Sequence, residues 1–497
     1  MCRAPGAGCS QVSVDRLTSF APSCPMAEER LARLHEATLR LLERTGVRVE
    51  SPRARDILAA AGVKVERSSG RVYPGEADVE RALRSAPRRF LVYGRSTEQP
   101  LEFDGARTYF LSGGASLRVV ELDGSTAPAV LEHLHRFNRL LDALPNIHML
   151  INQVDPQEFQ GPDLYRLLAA EMLIDTPKPI CFQAATVRDV QAMREMGSVL
   201  RGSAQALAAR PVYFVGLNSE PPLSISADIA DAMMHCCAHG IPCSLGNYNM
   251  MGITAPRTVA GAVVQLNAVQ LTAIVLAQAS RPGAPVFYTS FCGSGDLKTL
   301  DVVCADALSV QQMRLTAMMG RRYGLPVYGL AGTDSRMPDS QAAAEHAYQF
   351  PLAMDAGVNL MQGPTSMMDQ MMTSSFAQAI IDHDIISYIL ACRREPAVDE
   401  ETLALDVMHD VATSPDLADL KYAGHEHTVR HITDENWQAF CFRSQSYTTW
   451  EREGRRGLLE LAAEAAAGIL ATHVPEPMPR DQEKAIRALA VLSAKSP

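Results

Sequence analysis

The sequence predicts an α/β protein, a TIM (β/α)₈ barrel with a helical cap before it and a helical extension after it. Eight short apolar runs, rich in β-branched and aromatic residues, recur from about residue 107, and most are followed by a long segment of helical composition. A closed parallel barrel requires this alternation. An open doubly wound sheet is the alternative. It is disfavoured because no glycine-rich phosphate loop follows any early run.

The eight predicted strands fall in the region 106–395, the predicted barrel domain. They are Thr108–Ser112, Ile147–Val154, Pro179–Ala184, Val212–Leu217, Ile241–Gly246, Pro285–Ser290, Pro326–Leu330 and Val358–Gln362. Proline or glycine turns precede many of them. The predicted helices between them include Ser224–His239, Thr258–Ala279, Ala305–Tyr323 and Ser340–Asp355.

Three further regions flank the barrel. Residues 1–25 lack the continuous apolar segment of a signal peptide, and we expect a disordered tail there. Residues 26–105 predict a helical accessory domain, whose helices start at Met26, cover Ala54–Ala61 and follow Glu76. Residues 396–497 predict a C-terminal extension that packs on the barrel and contains a helix over Gly457–Leu470.

Composition excludes several classes of protein. A net charge of −10 argues against a nucleic-acid-binding surface. The 11 cysteines include no CxxC pair, which is typical of buried thiols in a reducing cytoplasm. Polar residues interrupt the longest apolar stretch, Val259–Ala277, which favours a buried helix over a membrane span. We therefore expect a soluble cytoplasmic protein that binds neither nucleic acid nor a membrane, and we leave open whether it forms a homo-oligomer.

The active site of a TIM barrel lies where the strands end. Amide and hydroxyl side chains follow the predicted strands here, among them Asn218, Tyr248 and Asn249. Such a mouth suits a neutral or cationic organic substrate better than a polyphosphate. The alternative for some of these residues, Asn218 and Thr254 in particular, is that they cap the following helices.

Two long motifs, Gly252–Tyr288 and Gly329–Glu345, resemble the trimethylamine methyltransferase (MttB-type) family. Shorter stretches that also resemble it are Tyr109–Gly114, Leu141–Ile147, Thr176–Ile180 and His427–His431. The resemblance covers about residues 28–478, nearly the whole chain.

The resemblance implies a barrel that moves a methyl group from a methylated amine to the Co(I) of a separate corrinoid protein. The corrinoid (cobalamin) would then be supplied by that partner, with no cofactor bound permanently. The sequence contains only the twenty standard residues. It therefore resembles the branch without pyrrolysine, whose members demethylate quaternary amines such as glycine betaine.

A quaternary nitrogen already carries the charge that makes a tertiary amine a good leaving group, and Co(I) is a strong nucleophile. The protein must then hold the cation, exclude water and align one methyl group. Aromatic faces are the expected cation holders, each contributing about 0.5–2 kcal/mol, although each candidate ring is also a candidate core residue. The predicted substrate-binding residues are Tyr109, Gly113, Gly114, Asn218, Tyr248, Asn249, Thr254, Phe291 and Tyr328.

The second motif carries the densest polar cluster of the chain. Asp334, Glu345 and His346 are the predicted catalytic residues, because the resemblance places them at the substrate mouth. The alternative is that they are helix caps and loop ties. Arg257 and Arg336 are candidates for pairing with a substrate carboxylate, or else they are solvated helix ends.

Two clusters invite a metal hypothesis. His425, His427 and His431 have the spacing of zinc ligands, but the resemblance accounts for His427 and His431 without a metal. We expect Asp382–Asp384 to lie on a solvated helix face. The sequence therefore predicts no metal site.

Methionines cluster after the last predicted strand, at Met361, Met367, Met368, Met371 and Met372. Methionine clusters usually provide adaptable packing. The sharper hypothesis is a surface that accommodates a large, flat corrinoid.

The chain departs from the family pattern at Val269, where members often carry glutamate, and less so at Arg336, where they tend to carry lysine. Loss of the carboxylate would change the substrate or mark a member without the common reaction. This departure keeps open a second hypothesis, a non-catalytic quaternary-amine-binding or sensory protein. A third, an unrelated barrel lyase or hydrolase, requires an acid–base pair that the sequence does not reveal.

Overall fold

The computed structural model describes residues 25–96, 99–159, 161–414, 421–432 and 437–490, with side chains from residue 28. Parallel strands form a closed barrel, as predicted. They are β1 (Tyr109–Leu111), β2 (Met149 and Leu150), β3 (Ile180–Gln183), β4 (Tyr213–Asn218), β5 (Cys243–Gly246), β6 (Val286–Ser290), β7 (Val327–Leu330) and β8 (Leu360–Gln362). Seven strands form one sheet in the order β1-β8-β7-β6-β5-β4-β3. Met149 bridges Leu111 and Leu150 bridges Ile180, so β2 closes the ring.

A helix follows each strand and covers the outside of the barrel. These helices are α1 (Leu131–Ala143), α2 (Leu164–Asp175), α3 (Val187–Arg201), α4 (Ala227–Ala238), α5 (Val259–Ser280), α6 (Ala307–Arg322), α7 (Ser340–Ala356) and α8 (Phe376–Arg393); a short helix, Ala204–Ala209, follows α3. Local sequence sets their ends. Thr186 and Asp189 form a capping box for α3, and Asp339 caps α7. Gly202 ends α3 and Gly357 ends α7, both in the left-handed conformation.

Helix α5 is long and apolar enough to cross a membrane by length and composition, but 78% of that stretch is buried inside the protein. Two N-terminal helices, Pro25–Arg44 and Glu76–Ser85, pack against it. Asn267 of α5 donates a hydrogen bond to Thr38 of the first helix (2.9 Å). α5 is thus the buried helix that the sequence predicts.

The N-terminal region also contains a small sheet. Beside its three helices (the second is Pro52–Ala60) lie strands Val47–Val49, Lys64–Glu66 and Arg71–Tyr73. Val47–Val49 pairs in parallel with Ser224–Ile225, which lies between β4 and α4. The region therefore shares backbone hydrogen bonds with the barrel. Of the predicted tail, only Pro25 lies within the described residues, as the start of the first helix.

A hairpin closes the N-terminal end of the barrel. Its strands, Phe90–Val92 and Leu101–Phe103, pair antiparallel. The rings of Phe90 and Phe103 contact Phe287 of β6 at centroid distances of 4.8 and 4.9 Å. Short strands at the opposite end extend the loops: Arg118–Val120, Thr126–Pro128, Asn249–Met251, Cys292–Gly295, Val302–Val303 and Thr373–Ser375.

The C-terminal extension has two unlike parts. No residue of the helices Glu400–Leu403, Leu405–Thr413, Glu426–His431 and Tyr447–Arg452 is buried, and a 3₁₀ turn, Lys421–Gly424, precedes the third. By contrast, Leu458–Thr472 packs against α8, and Arg480–Ala490 packs against α2 and α3.

The expected solvated position of Asp382–Asp384 is wrong. All three residues are buried in α8. Asp384 accepts backbone hydrogen bonds from Phe440, Cys441 and Phe442 at 2.7–3.2 Å. A buried carboxylate needs such donors, so this acidic run anchors the extension to the barrel.

Candidate active site

A cavity of about 300 Å³ lies at the C-terminal ends of the barrel strands. Every strand or the loop that follows it contributes to the wall. The lining residues are Gly114, Ala115, Ile151, Cys181, Gln183, Gly216, Asn218, Ser244, Tyr248, Phe291, Tyr328, Leu330, Gln362, Met367, Gln370, Met371 and Met372.

The alternation of side chains along each strand selects these residues. Cys181 and Gln183 on β3, and Tyr328 and Leu330 on β7, are two positions apart and therefore point to the same face. Towards the other end of the barrel, rings such as Phe214 are fully buried and pack against other aromatic rings in the interior. The cavity begins where this apolar packing stops.

Aromatic rings form one side of the cavity. Phe291 and Tyr328 meet edge to face with their centroids 4.8 Å apart. Glycines allow the close approach of this wall: a Cβ on Gly246 would lie 2.0 Å from Asn218 Oδ1 and 3.0 Å from the Phe291 ring. A Cβ on Gly293 would lie 2.3 Å from the Tyr248 hydroxyl.

The cavity is electrically neutral. Among the described residues, no Asp, Glu, Lys, Arg or His lines it. Burial raises the pKa of the Cys181 thiol and of the Tyr248 and Tyr328 hydroxyls well above their usual values, so all three stay protonated at neutral pH. Tyr328 donates its hydrogen bond to Gln362 Oε1. The wall thus offers rings, amides and a thiol, and no ionised acid, base or nucleophile.

A methionine-rich loop covers one side of the cavity. Met367, Met371 and Met372 line it, whereas Met361 and Met368 are buried and lie outside the lining. Four non-glycine residues of this loop have left-handed backbone conformations: Ser366 (φ 57°), Asp369 (φ 51°), Gln370 (φ 57°) and Met371 (φ 74°). Such conformations are strained and persist where surrounding contacts enforce them. Here Asp369 accepts hydrogen bonds from Arg118 (3.0 Å) and Thr373 (2.8 Å).

Asp334 and Glu345, two of the predicted catalytic residues, lie outside the cavity wall. Asp334 accepts hydrogen bonds from the backbone N–H groups of Cys304 (2.8 Å) and Ala305 (2.9 Å). Glu345 accepts from the Thr333 hydroxyl (2.5 Å) and the Asp334 N–H (2.9 Å). Asp334 therefore joins the loop after β7 to the loop after β6, and Glu345 ties the loop after β7 to helix α7. This geometry corresponds to the alternative of loop ties.

The third, His346, is fully buried in α7 and also lies outside the lining. Its Nδ1 shares a hydrogen bond of 2.8 Å with Asp382 of α8, and its ring stacks on Phe350. Its Nε2 has no hydrogen-bond partner within the described part of the chain. This position is one of packing between helices and gives no contact with a ligand in the cavity.

Five of the nine predicted substrate-binding residues line the cavity: Gly114, Asn218, Tyr248, Phe291 and Tyr328. The other four do not. Tyr109 packs against Phe103 at the closed end of the barrel, and the N–H of Gly113 donates to Thr365 Oγ1. Asn249 and Thr254 both accept hydrogen bonds from Gln265, which fastens the turn before α5.

Three other residues that the sequence singles out lie away from the wall. Arg257 donates to the carbonyl groups of Met251 and Gly295 (3.3 Å each), and Arg336 is exposed. Val269 is buried in the apolar layer around α5 and does not line the cavity. Valine at this position therefore belongs to the apolar packing around α5.

Several wall residues are not among those that the sequence predicts: Ile151, Cys181, Gly216, Ser244, Leu330 and Gln370. Most are apolar or small and resemble core residues in composition. The alternation of side chains along a strand could have predicted two of them. Cys181 and Gly216 each precede a polar residue of the barrel mouth by two positions and therefore face the same side.

Comparison with known proteins agrees with this architecture. The family model for trimethylamine methyltransferase (MTTB) matches residues 6–492. Trimethylamine methyltransferase MttB of Desulfitobacterium hafniense is 26% identical over 482 residues (96% of this chain and 95% of that protein). Glycine betaine methyltransferase of the same species is 27% identical over 483 residues (95% and 97%). Trimethylamine methyltransferase MttB2 of Methanosarcina mazei is 27% identical over 475 residues (93% of each).

Among solved structures, the monomethylamine methyltransferase of Methanosarcina barkeri superposes with a TM-score of 0.50. The match covers 91% of this chain and 88% of that one at 9% sequence identity, which bears on the fold alone. Family model, relatives and fold are consistent along almost the whole chain. The protein belongs to the trimethylamine methyltransferase family and is a methyltransferase.

Proposed function

We propose that this protein transfers a methyl group from a quaternary amine to the Co(I) of a corrinoid held by a separate protein. The neutral, aromatic-walled cavity is the observation that carries the proposal. A cation in such a cavity is attracted by ring faces. The described residues of the wall include no ionised group that would act as a base or nucleophile.

The reaction needs little from the protein besides position. The corrinoid of the partner protein would supply the nucleophile that accepts the methyl group as the C–N bond breaks. The electron pair of that bond would stay on nitrogen and leave a neutral tertiary amine. Phe291, Tyr328 and Tyr248 would hold the ammonium head, and exclusion of water would keep the cation in contact with the rings. The attraction to the rings falls as the nitrogen loses its charge. The neutral product should therefore bind more weakly than the cationic substrate.

Amides would orient the rest of the substrate. Gln183, Asn218 and Gln362 line the same cavity and offer N–H donors without a formal charge. A betaine carboxylate or a choline-like hydroxyl would accept from these groups. Asp334 and Glu345 would then act as positioning residues, because they hold loops that carry the wall, and His346 would act through the packing of α7 against α8.

The rim of the barrel mouth supports docking of a partner protein. Large apolar side chains are exposed in the loops after six strands: Leu117, Phe159, Ile253, Leu297, Leu300, Met337 and Met372. Exposed apolar groups that surround a cavity are typical of interaction sites. The corrinoid protein would cover this rim and bring its cobalt to the cavity.

The direct test mixes the purified protein with a corrinoid protein held as Co(I) and a panel of quaternary amines. We expect the visible spectrum of methyl-Co(III) to appear with at least one of them. Tight binding of an amine without any methylation would favour the sensory protein. If no amine of the panel binds and none is demethylated, the proposal is contradicted.

A pair of surface variants tests the docking surface. Leu300→Glu on the rim should slow methylation when the corrinoid protein is limiting and leave amine binding unchanged. Leu405→Glu on the C-terminal extension is the matched control, because the two leucines are similarly exposed (66% and 63%). Equal rates in both variants would place the docking surface elsewhere.

A further inference from the structure

Part of the C-terminal extension has no hydrophobic core. In its described residues, none of the helices Glu400–Leu403, Leu405–Thr413 and Glu426–His431 has a buried residue. Val398, Leu405 and Val429 are strongly exposed. Segments that cannot bury enough apolar surface commonly depend on another cross-link for a defined structure.

One polar cluster joins two of these helices. His427 and His431 are four residues apart and therefore share one face of their helix, with ring centroids 4.4 Å apart. Glu401 comes from the other helix, and its Oε1 lies 3.3 Å from His431 Nε2. The ligand atoms of all three residues lie within 4.8 Å of one another.

We propose that Glu401, His427 and His431 bind one zinc ion that fastens the two helices together. Two imidazoles and a carboxylate are an established zinc donor set, with a fourth position left for water. In a tetrahedral site with bonds of about 2.0–2.1 Å, ligand atoms are about 3.3–3.4 Å apart. The separation of His431 Nε2 and Glu401 Oε1 equals this edge.

A second observation favours a ligand over a simple ion pair. His427 Nε2 is shielded from solvent and has no hydrogen-bond partner in the part of the chain that the structure describes. An imidazole nitrogen in that position costs free energy unless it has a partner. A metal ion between the three residues would be that partner.

Arg430 is the competitor, because it forms an ion pair with Glu401 at 2.8 Å. Both side chains are about half exposed, and an exposed ion pair contributes little to stability. The arginine pairs with Oε1, the same oxygen that lies 3.3 Å from His431 Nε2, so when Oε1 binds the ion the carboxylate has to offer its other oxygen to the arginine. His425 takes no part, since its Nδ1 accepts the His427 N–H as a helix cap.

The test is calorimetric titration of the full-length, chelator-treated protein with zinc chloride. We expect one equivalent to bind at this site, and both Glu401→Gln and His427→Asn to weaken that binding at least about tenfold. His409→Asn, an exposed histidine of the same extension, is the matched control and should bind zinc as the wild type does. Arg430→Gln should also retain binding, which separates a metal site from an ion pair.

Limited proteolysis supplies a second measurement. Zinc should slow cleavage between about residues 396 and 457 in the wild type and fail to do so in His427→Asn. Another cluster, His135, Glu171 and Asp175, lies between α1 and α2 and could bind zinc in the same titration. Zinc binding lost in His135→Asn and unchanged in Glu401→Gln and His427→Asn would overturn the proposal, as would no binding at all.

Discussion

The two ends of the barrel differ in the types of side chain that occupy the interior. At the N-terminal end, the buried side chains of Phe90, Phe103 and Phe287 pack ring against ring. At the C-terminal end, the wall changes to amides, methionines and two edge-on aromatic rings around a hollow of about 300 Å³. One end therefore supplies stability, and the other is free to bind a ligand.

This division matches the general behaviour of TIM barrels, in which the two faces carry stability and activity separately. Backbone strain is also found at the C-terminal end, beside the cavity. The left-handed residues Asp369, Gln370 and Met371 all lie in the loop beside the hollow end. Substitutions at the two ends should accordingly have different effects, which four experiments can measure.

Phe287→Ala should have the largest effect. The side chain is buried and contacts the rings of Phe90, Phe103 and Phe214. Its loss should lower the free energy of unfolding by about 3–5 kcal/mol in a denaturant titration. Phe291→Ala, at the hollow end, should cost less than about 2 kcal/mol, because its ring already borders empty space. Equal losses would remove the distinction between the two ends.

The pH dependence of stability in Asp155→Asn tests the C-terminal end of the barrel. Burial raises the pKa of Asp155, in the loop after β2, to about 6. The folded state therefore binds more protons than the unfolded state between about pH 4 and 6, and the carboxylate destabilises the fold increasingly as the pH rises through that window. The amide should raise stability at about pH 7 by about 2 kcal/mol, and this gain should shrink towards about pH 4. A gain independent of pH would contradict the assignment.

Phe291→Leu should leave the fold intact and weaken binding of a quaternary amine. Leucine keeps most of the apolar volume and removes the negative ring face, which is worth about 0.5–2 kcal/mol, or roughly 2–30-fold in affinity. Isothermal titration gives the affinity, and Phe159→Leu on the rim serves as the control. Unchanged affinity in Phe291→Leu would show that this ring does not hold the cation.

Gly246→Ala should have the smallest effect. The new Cβ would meet Asn218 Oδ1, and that exposed side chain can turn away at little cost. It would also lie 3.0 Å from the Phe291 ring, which has to shift by a few tenths of an ångström beside the open cavity. We expect a few-fold loss of amine affinity with little change in melting temperature. Gly468→Ala, where a Cβ meets nothing within 4 Å, should leave the affinity unchanged.

Much of the barrel could be predicted from the sequence, because apolar runs, turns and caps are local signals. Seven of the eight predicted runs contain their strand, strand Tyr213–Asn218 extends one residue beyond its run, and helix Ser340–Ala356 ends one residue beyond its predicted limit. The run Ile147–Val154 matches least well in extent, because only isolated bridges form there, at Met149, Leu150 and Val154. A long apolar run shows that a strand is present and does not fix how many residues pair.

The site was less predictable, since long-range contacts decide it. Asp334 and Glu345 belong to residue types that often act in catalysis. Only the fold reveals that their carboxylates accept backbone N–H groups, from the loop after β6 for Asp334 and from Asp334 itself for Glu345. Glu401 lies 26 residues before His427 along the chain, so no local motif connects them. Buried Cys181 resembles a core residue until the cavity beside it is visible.

Two ligands of the same shape test most directly whether the cavity recognises a cation through its aromatic faces. Choline carries a trimethylammonium group, and 3,3-dimethylbutan-1-ol carries a neutral tert-butyl group in its place. If the protein accepts choline-sized amines, calorimetry should show the neutral alcohol binding at least about tenfold more weakly than the cation. The same comparison holds for any amine of the panel and its carbon analogue. Equal affinities within each pair would contradict the account.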